Sequence, residues 1–249
     1  MSGHSKWATI KHKKGAADAK RGKLFAKLIR QVEVAARNGG GDPDMNPTLR
    51  TMYQKARDAS VPLDTIERAI KRGTGELEGV SYEEVTYEGY APGGVALIVE
   101  ALTDNRNRTG SDVRSTFTKQ GGSMAEPGAV AWQFERKGMV LVPSDADEDE
   151  VMLAAIEAGA EDLSDGGEFW SITCDPGDTE SVRSALEEAG FEVESSDLTM
   201  VPTSTVPVEK PEDARPVFRL IESLDDLDDV QNVFTNADFD DSVLSAMDG

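Results

Sequence analysis

Cysteine occurs once in these 249 residues, as Cys174, so no disulfide can form within the chain. Histidine occurs twice, at His4 and His12, and aromatic residues make up only 6%. No run of about 18 apolar residues exists, which excludes a bilayer-spanning helix as a reading of this sequence. The basic N-terminus is not followed by an apolar segment, so it does not read as a secretion signal. With a single cysteine, these absences favour a reduced, cytoplasmic setting and no membrane partner. A composition of 38% hydrophobic and 29% charged residues is that of a globular protein. The length allows two or three domains, each with its own core.

Catalytic constellations are equally scarce. Both histidines lie in a polar N-terminal stretch where nothing rigid positions them. Cys174 falls in an expected strand far from either histidine and reads as a buried structural thiol. Gly22-Lys23 is followed by Leu24 and lacks the upstream glycine of a phosphate loop. Asp145, Asp147 and Asp149 begin like a calcium loop, but its sixth position is Glu150 and its twelfth is Ile156, where glycine and glutamate are required. These acids read instead as the start of a helix. A non-enzymatic protein with no cofactor and no metal is expected.

What the chain does contain is a sharp division of charge. Its first 37 residues carry ten Lys/Arg against two acids, in a chain whose net charge is −21. Residues 1–75 have a net charge of +9 and residues 76–249 a net charge of −30. From Glu222 onward there are nine acids and no Lys or Arg. One small region is suited to a polyanion, which points to nucleic acid. The acidic remainder reads as a solvating surface or as a device that orients the basic region toward phosphate.

Residues 1–17, MSGHSKWATIKHKKGAA, are expected to form an arm that orders on binding. Lys6, Lys11, Lys13 and Lys14 supply its charge. Trp7 and His12 stand among the lysines; Trp7 can stack on an unpaired base or fold back as a plug on the helical domain. Asp18 opens a helix to about Asn38, before Gly39-Gly40-Gly41. At about 100° per residue, Lys20, Lys23, Lys27, Arg30 and Arg37 form a stripe opposite Leu24, Phe25, Leu28, Ile29, Val32, Ala35 and Ala36, with Val34 the exception on the basic side. Arg21 lies near the same end. Asn46-Pro47 opens a second helix, and Ser60-Val61-Pro62 a third that carries Asp64 and Glu67 early and Lys71 and Arg72 late, as the helix dipole favours.

From Glu83 the hydrophobic period becomes strand-like. Strand 95–102, a helix from about Arg108 to Gln120 and strand 130–134 come first. Residues 138–200 then read as strand 139–142, helix 147–158, strand 161–163, strand 168–173, helix 178–189 and strand 191–200, the β-α-β-β-α-β order of a ferredoxin-like domain. Strand 203–208, helix 212–224 and strand 229–235 follow. Joined to 95–134, they give the same order again. The expected fold is therefore α+β and multidomain: a three-helix domain (1–78), a discontinuous ferredoxin-like domain (79–136 plus 202–249), and a second ferredoxin-like domain (137–201) inserted into it.

Thr103-Asp104-Asn105-Arg106-Asn107-Arg108-Thr109 joins a strand to a helix. Asp and Asn commonly cap such turns. With Arg106, Arg108 and Arg114 nearby, Asn105 and Asn107 also mark a helix N-terminus suited to an anion. A secondary phosphate contact and an interdomain anchor are both open readings.

Met1-Ser2-Gly3-His4-Ser5-Lys6-Trp7, Ile10-Lys11-His12-Lys13-Lys14 and Asp18-Ala19-Lys20-Arg21-Gly22-Lys23 resemble the YebC/PmpR family. So do Asp64 to Gly73, Tyr87-Glu88-Gly89-Tyr90 with Pro92-Gly93-Gly94, and Thr103 to Thr109. The likeness is near-continuous to about Gly138 and weaker beyond. It implies a helical domain followed by two α+β domains, in a cytoplasmic, non-enzymatic regulator of gene expression. Members are usually described as DNA-binding transcriptional regulators, and others, including mitochondrial relatives, act in translation at the ribosome. The candidate nucleic-acid contacts are thus Lys6, Trp7, Lys11, His12, Lys13, Lys14, Lys20, Arg21, Lys23, Lys27 and Arg30. DNA is the first expected partner. Ribosomal RNA met through the same arm is the alternative, and an acidic protein-interaction module tethered by the arm is the rival from another class. The very acidic C-terminal third departs from the family pattern. Oligomeric state is not legible.

Overall fold

The computed structural model describes residues 18–240 and 243, and for residues 18–21 the backbone. The arm, with Lys6, Trp7, Lys11, His12, Lys13 and Lys14, lies outside the described residues. Three helices come first: α1 (Asp18–Gly39), α2 (Pro47–Asp58) and α3 (Leu63–Gly73). Leu28, Val32, Ala35 and Ala36 of α1 meet Leu49 and Ala56 of α2 and Ile66 and Ala69 of α3 in a core of their own. Their spacing puts each set on one helix face, which is why three short helices suffice. Gly73 allows α3 to cross α1 closely: a Cβ there would run into the Glu33 carbonyl and stand 2.8 Å from the Ala36 Cβ.

Asn46 fastens this domain. Its Oδ1 accepts from the Leu49 amide at 3.1 Å and so caps α2. Its Nδ2 donates to the carbonyls of Ala35 and Gly40, both at 2.8 Å, at the C-terminal end of α1. One buried side chain therefore satisfies orphan groups of two helices. Asn46→Ala should lower stability by about 2 kcal/mol, the loss of a cap plus buried carbonyl partners. A urea midpoint within error of wild type would remove this role.

The body begins with the hairpin β1 (Glu83–Tyr90) and β2 (Ala96–Thr103), followed by α4 (Arg106–Lys119) and β3 (Ser123–Ala125). The chain then runs through β4 (Phe134–Pro143), α5 (Glu148–Ile156), β5 (Ala160–Asp165), β6 (Phe169–Cys174), α6 (Thr179–Glu188) and β7 (Ser195–Pro202). It ends with β8 (Val206–Val208), α7 (Pro211–Asp225), β9 (Val230–Thr235) and β10 (Ala237–Phe239).

Strands β4 to β7 form one antiparallel sheet in the order β5-β6-β4-β7, with α5 and α6 as the crossovers. The order of elements along the chain, β-α-β-β-α-β, is the one expected of residues 138–200. Val140, Val142, Val151, Ala155, Ile172, Val182 and Leu186 fill its core, with Cys174 fully buried among them. Burial pushes the Cys174 thiol up, as befits a structural residue. Asp147 caps α5 through the Glu150 amide at 3.1 Å, so the acids of the rejected calcium loop do start a helix.

The other sheet has the order β3-β1-β2-β9, every neighbour antiparallel. Here the sequence expectation needs correction. The sequence pattern places strand 203–208 in this sheet, but β8 pairs in parallel with β10 in a separate two-stranded sheet. The place between β2 and β3 is taken by β1, from upstream. Residues 131–133 are a 3-10 turn, and the strand expected at 130–134 starts only at Phe134. The cause is Glu88: its buried carboxylate accepts from the amides of Gly128 and Val130 at 2.6 Å and of Ala131 at 2.9 Å. Those amides are thereby unavailable to a strand ladder. Burial alone would raise the Glu88 carboxyl, but the three amides prevail and hold it below its ordinary value.

Helix α7 packs Val217, Phe218, Leu220, Ile221 and Leu224 on this sheet, joined by Val113 and Phe117 of α4. Phe218 stacks on Phe239 at 4.4 Å between centroids. No described helix is long and apolar enough to cross a membrane.

Candidate nucleic-acid interface

The basic face of α1 does not stand open along its whole length. Lys23 Nζ donates to the Asp226 carbonyl and to Asp226 Oδ1, each at 3.1 Å. One turn on, Lys27 Nζ donates to the Asp225 carbonyl at 2.9 Å and to Asp225 Oδ1 at 3.0 Å. Arg30 then donates to the Asp228 carbonyl and, at 3.2 Å, to Asp229 Oδ1. Its guanidinium also lies 5.6 Å from the centre of the Tyr82 ring. Three successive turns of α1 are thus seated on the C-terminal end of α7.

That end of α7 suits cations for two reasons. The last carbonyls of a helix lack intrahelical partners and carry the negative pole of its dipole. The sequence Asp225-Asp226-Leu227-Asp228-Asp229 adds four carboxylates, and the last turn of α7 holds no basic residue of its own. Val34, the apolar residue out of place on the basic stripe, is buried. Lys20 and Arg21 lie in the first turn of α1, where the backbone alone is described.

Arg37, last of the stripe, donates to the Val80 carbonyl at 2.8 Å and lies 3.5 Å from Glu33 Oε1. Arg72 of α3 donates to Glu33 Oε2 at 2.8 Å. These contacts hold residues 78–82, which lead into the body, against α1. A further ion pair, Lys55 to Asp197, ties α2 to β7 of the second sheet.

Asp229 is the meeting point of the second polar cluster. Its Oδ2 accepts from Arg108 Nη2 and Thr109 Oγ1 at 2.7 Å each and from Thr103 Oγ1 at 3.2 Å, while Oδ1 faces Arg30. Burial would raise this carboxyl, but the bonds from Arg108 and Thr109 and the Arg108 charge outweigh it and hold the group below its usual range. Arg108 also donates to Asp104 Oδ1 at 2.7 Å, and the two carboxylates keep its guanidinium firmly protonated. Asn105 caps α4 by accepting the Arg108 amide at 3.1 Å. Arg106 is exposed, 3.7 Å from Glu83. Asn107 and Arg114 are exposed on α4. The residues of the 103–109 turn therefore come together with α1 through Asp229, whereas Arg114 stands apart from that knot.

Sequence pattern alone does not pair the basic stripe with its acidic partner. A usable signal existed: four aspartates in five residues at a helix end, facing cations spaced four and three residues apart. What no local pattern conveys is that α1 and α7, some 200 residues apart in sequence, are adjacent.

Residues 5–76 match the family description "TACO1/YebC protein N-terminal domain", and residues 82–237 match "TACO1/YebC second and third domain". A protein of Thermobifida fusca named "Probable transcriptional regulatory protein" is 58% identical, over 98% of this chain and 99% of its own length. One of the same name from Geotalea uraniireducens is 55% identical, over 99% of this chain and all of its own. A crystal structure of a conserved hypothetical protein from Aquifex aeolicus, 49% identical, superposes with a TM-score of 0.84 over 91% of this chain and 94% of that one. With both of its parts matched and its relatives alike along their full length, the chain belongs to the TACO1/YebC family.

Proposed function

We propose that this protein is a non-enzymatic, nucleic-acid-binding regulator of gene expression in the cytoplasm, a DNA-binding transcriptional regulator of YebC type. The observation that carries this reading is the row of Lys23, Lys27 and Arg30 on successive turns of α1, each holding anionic oxygens. A row that already binds carboxylates at that spacing is chemically suited to phosphates. Lys20 and Arg21 extend it toward the arm. There Lys6, Lys11, Lys13 and Lys14 add charge, and Trp7 and His12 add groups that can stack or hydrogen-bond. The names of the full-length relatives support the regulatory role. In this reading Arg108 serves as an interdomain anchor, and Arg106 and Arg114 offer a secondary anion contact.

Phosphate contacts position a protein without specifying sequence, so discrimination between DNA sequences should be modest. Reversing Lys11, Lys13 and Lys14 together to glutamate should reduce affinity for a fluorescent duplex DNA at least 100-fold in an anisotropy titration. Unchanged affinity would move the site off the arm. Sedimentation of a cell lysate with and without nuclease separates the rivals: co-migration with ribosomal particles would replace DNA by ribosomal RNA as the target.

A further inference from the structure

The same three cations are required by the proposed nucleic-acid face and by the acidic end of α7. We propose that the Asp225–Asp229 segment occupies the place of nucleic-acid phosphates on α1 in the free protein, and that a bound phosphate backbone displaces it and releases the helical domain from the body. This rests on the nucleic-acid reading above and adds a regulation of that site.

Three features support an exchangeable contact. First, it matches phosphate binding in chemistry: each cation is met by a carboxylate and a backbone carbonyl. Second, the contact is graded. At its outer edge the Lys23 and Asp226 side chains are 47% and 63% exposed, whereas Arg30 and Asp229 at its inner end are 21% and 11% exposed. Exposed pairs contribute little stability and are readily exchanged, so displacement would begin at Lys23 and run inward. Third, the domains keep separate cores. The apolar cluster of α1 to α3 shares no residue with that of α4, α7 and the β1 sheet, so parting them need not open either. The Lys55–Asp197 pair, also half-open to solvent, is the same kind of tie.

The charge division of the sequence then has a second meaning. The acidic body is an internal competitor held at high effective concentration by the chain itself. Only a ligand that presents several phosphates at once can replace it along the whole row. Single anions should exchange at the Lys23 edge without parting the domains.

The test uses the full chain with fluorophores at Met45→Cys and Glu212→Cys. Both sites are exposed, and the native Cys174 is fully buried and inert to labelling. Energy transfer and affinity are read with a 24-base-pair duplex DNA at low salt. One variant carries Asp225→Asn, Asp226→Asn and Asp228→Asn. A control removes three distant charges with Glu148→Gln, Asp149→Asn and Glu150→Gln. DNA should lower transfer in the control; the first variant should show low transfer before DNA is added and bind about tenfold more tightly than the control. Equal affinities, or transfer unchanged on DNA binding, would overturn the exchange. Failure of the first variant to bind DNA at all would overturn the nucleic-acid reading, and the exchange with it.

Discussion

Asp229→Ala is expected to destabilise the body by about 3 kcal/mol, the largest loss for any single polar side chain described. The side chain is 11% exposed and serves four donors from three places in the chain: Arg30, Thr103, Arg108 and Thr109. Removing it takes the carboxylate acceptor from the buried Thr103 and Thr109 hydroxyls, which keep each other at 2.7 Å and the Asn105 backbone, and leaves two guanidinium groups short of a partner. Breaking a largely buried charged network typically costs about 3–5 kcal/mol. The lower end applies because the Arg108 side chain is half exposed and solvent replaces part of what it loses. Asp229→Asn keeps the shape and removes the charge, so its loss should be smaller. The pH dependence follows from the depressed carboxyl. A group whose pKa is lower folded than unfolded contributes stability that is present above its unfolded value, about 3.9, and is lost as pH falls through the folded value. The gap between wild type and Asp229→Asn should therefore be full at neutral pH and close on the acid side, below about pH 4. Urea midpoints of the body's transition at a series of pH values check this. A gap that stayed constant to pH 2.5 would show that the ionised carboxylate of Asp229 does not carry it.

Glu88 and Asp229 illustrate what the sequence conceals. Each is an acid in an acid-rich body, and nothing local separates it from solvated neighbours such as Glu83 or Asp104. Their roles arise because partners distant in sequence converge: Gly128, Val130 and Ala131 on one, α1 and the 103–109 turn on the other. Periodicity, by contrast, is local. It located α1 to α3, and the β4-to-β7 order was legible because its strands and helices alternate with clear changes of period. The sheet with β1 at its centre was harder. The strand that fills its third place precedes the repeat, and the strand expected there, 203–208, was diverted to pair with β10. In the same way the α1 stripe was legible as cationic, but its partner was not. A stripe of positive charge reads alike whether it faces solvent, phosphate or a helix end of the same chain.

Affinity for duplex DNA should fall about 10³-fold between 50 and 200 mM monovalent salt. Each phosphate neutralised by a Lys or Arg releases condensed counterions, and log K falls with log salt at a slope of about −0.9 per contact. The arm and α1 together offer Lys6, Lys11, Lys13, Lys14, Lys20, Arg21, Lys23, Lys27 and Arg30, so six simultaneous contacts are within reach of this surface. Six give a slope near −5, hence about 10³-fold over a fourfold change in salt. The acidic segment shapes this response in a testable way. If Lys23, Lys27 and Arg30 remained on Asp225–Asp229 in the complex, only the arm and the first turn of α1 would contribute, and Lys27→Gln would leave the slope unaltered. If the phosphates displace the acids, Lys27→Gln should reduce the slope by about 1, since one fewer counterion-releasing contact is made. Anisotropy titrations of both proteins at four salt concentrations give the two slopes directly. A nearly flat salt response in the wild type would remove the phosphate model altogether. A steep response unaffected by Lys27→Gln would keep the arm as the binding element and leave α1 permanently docked on α7.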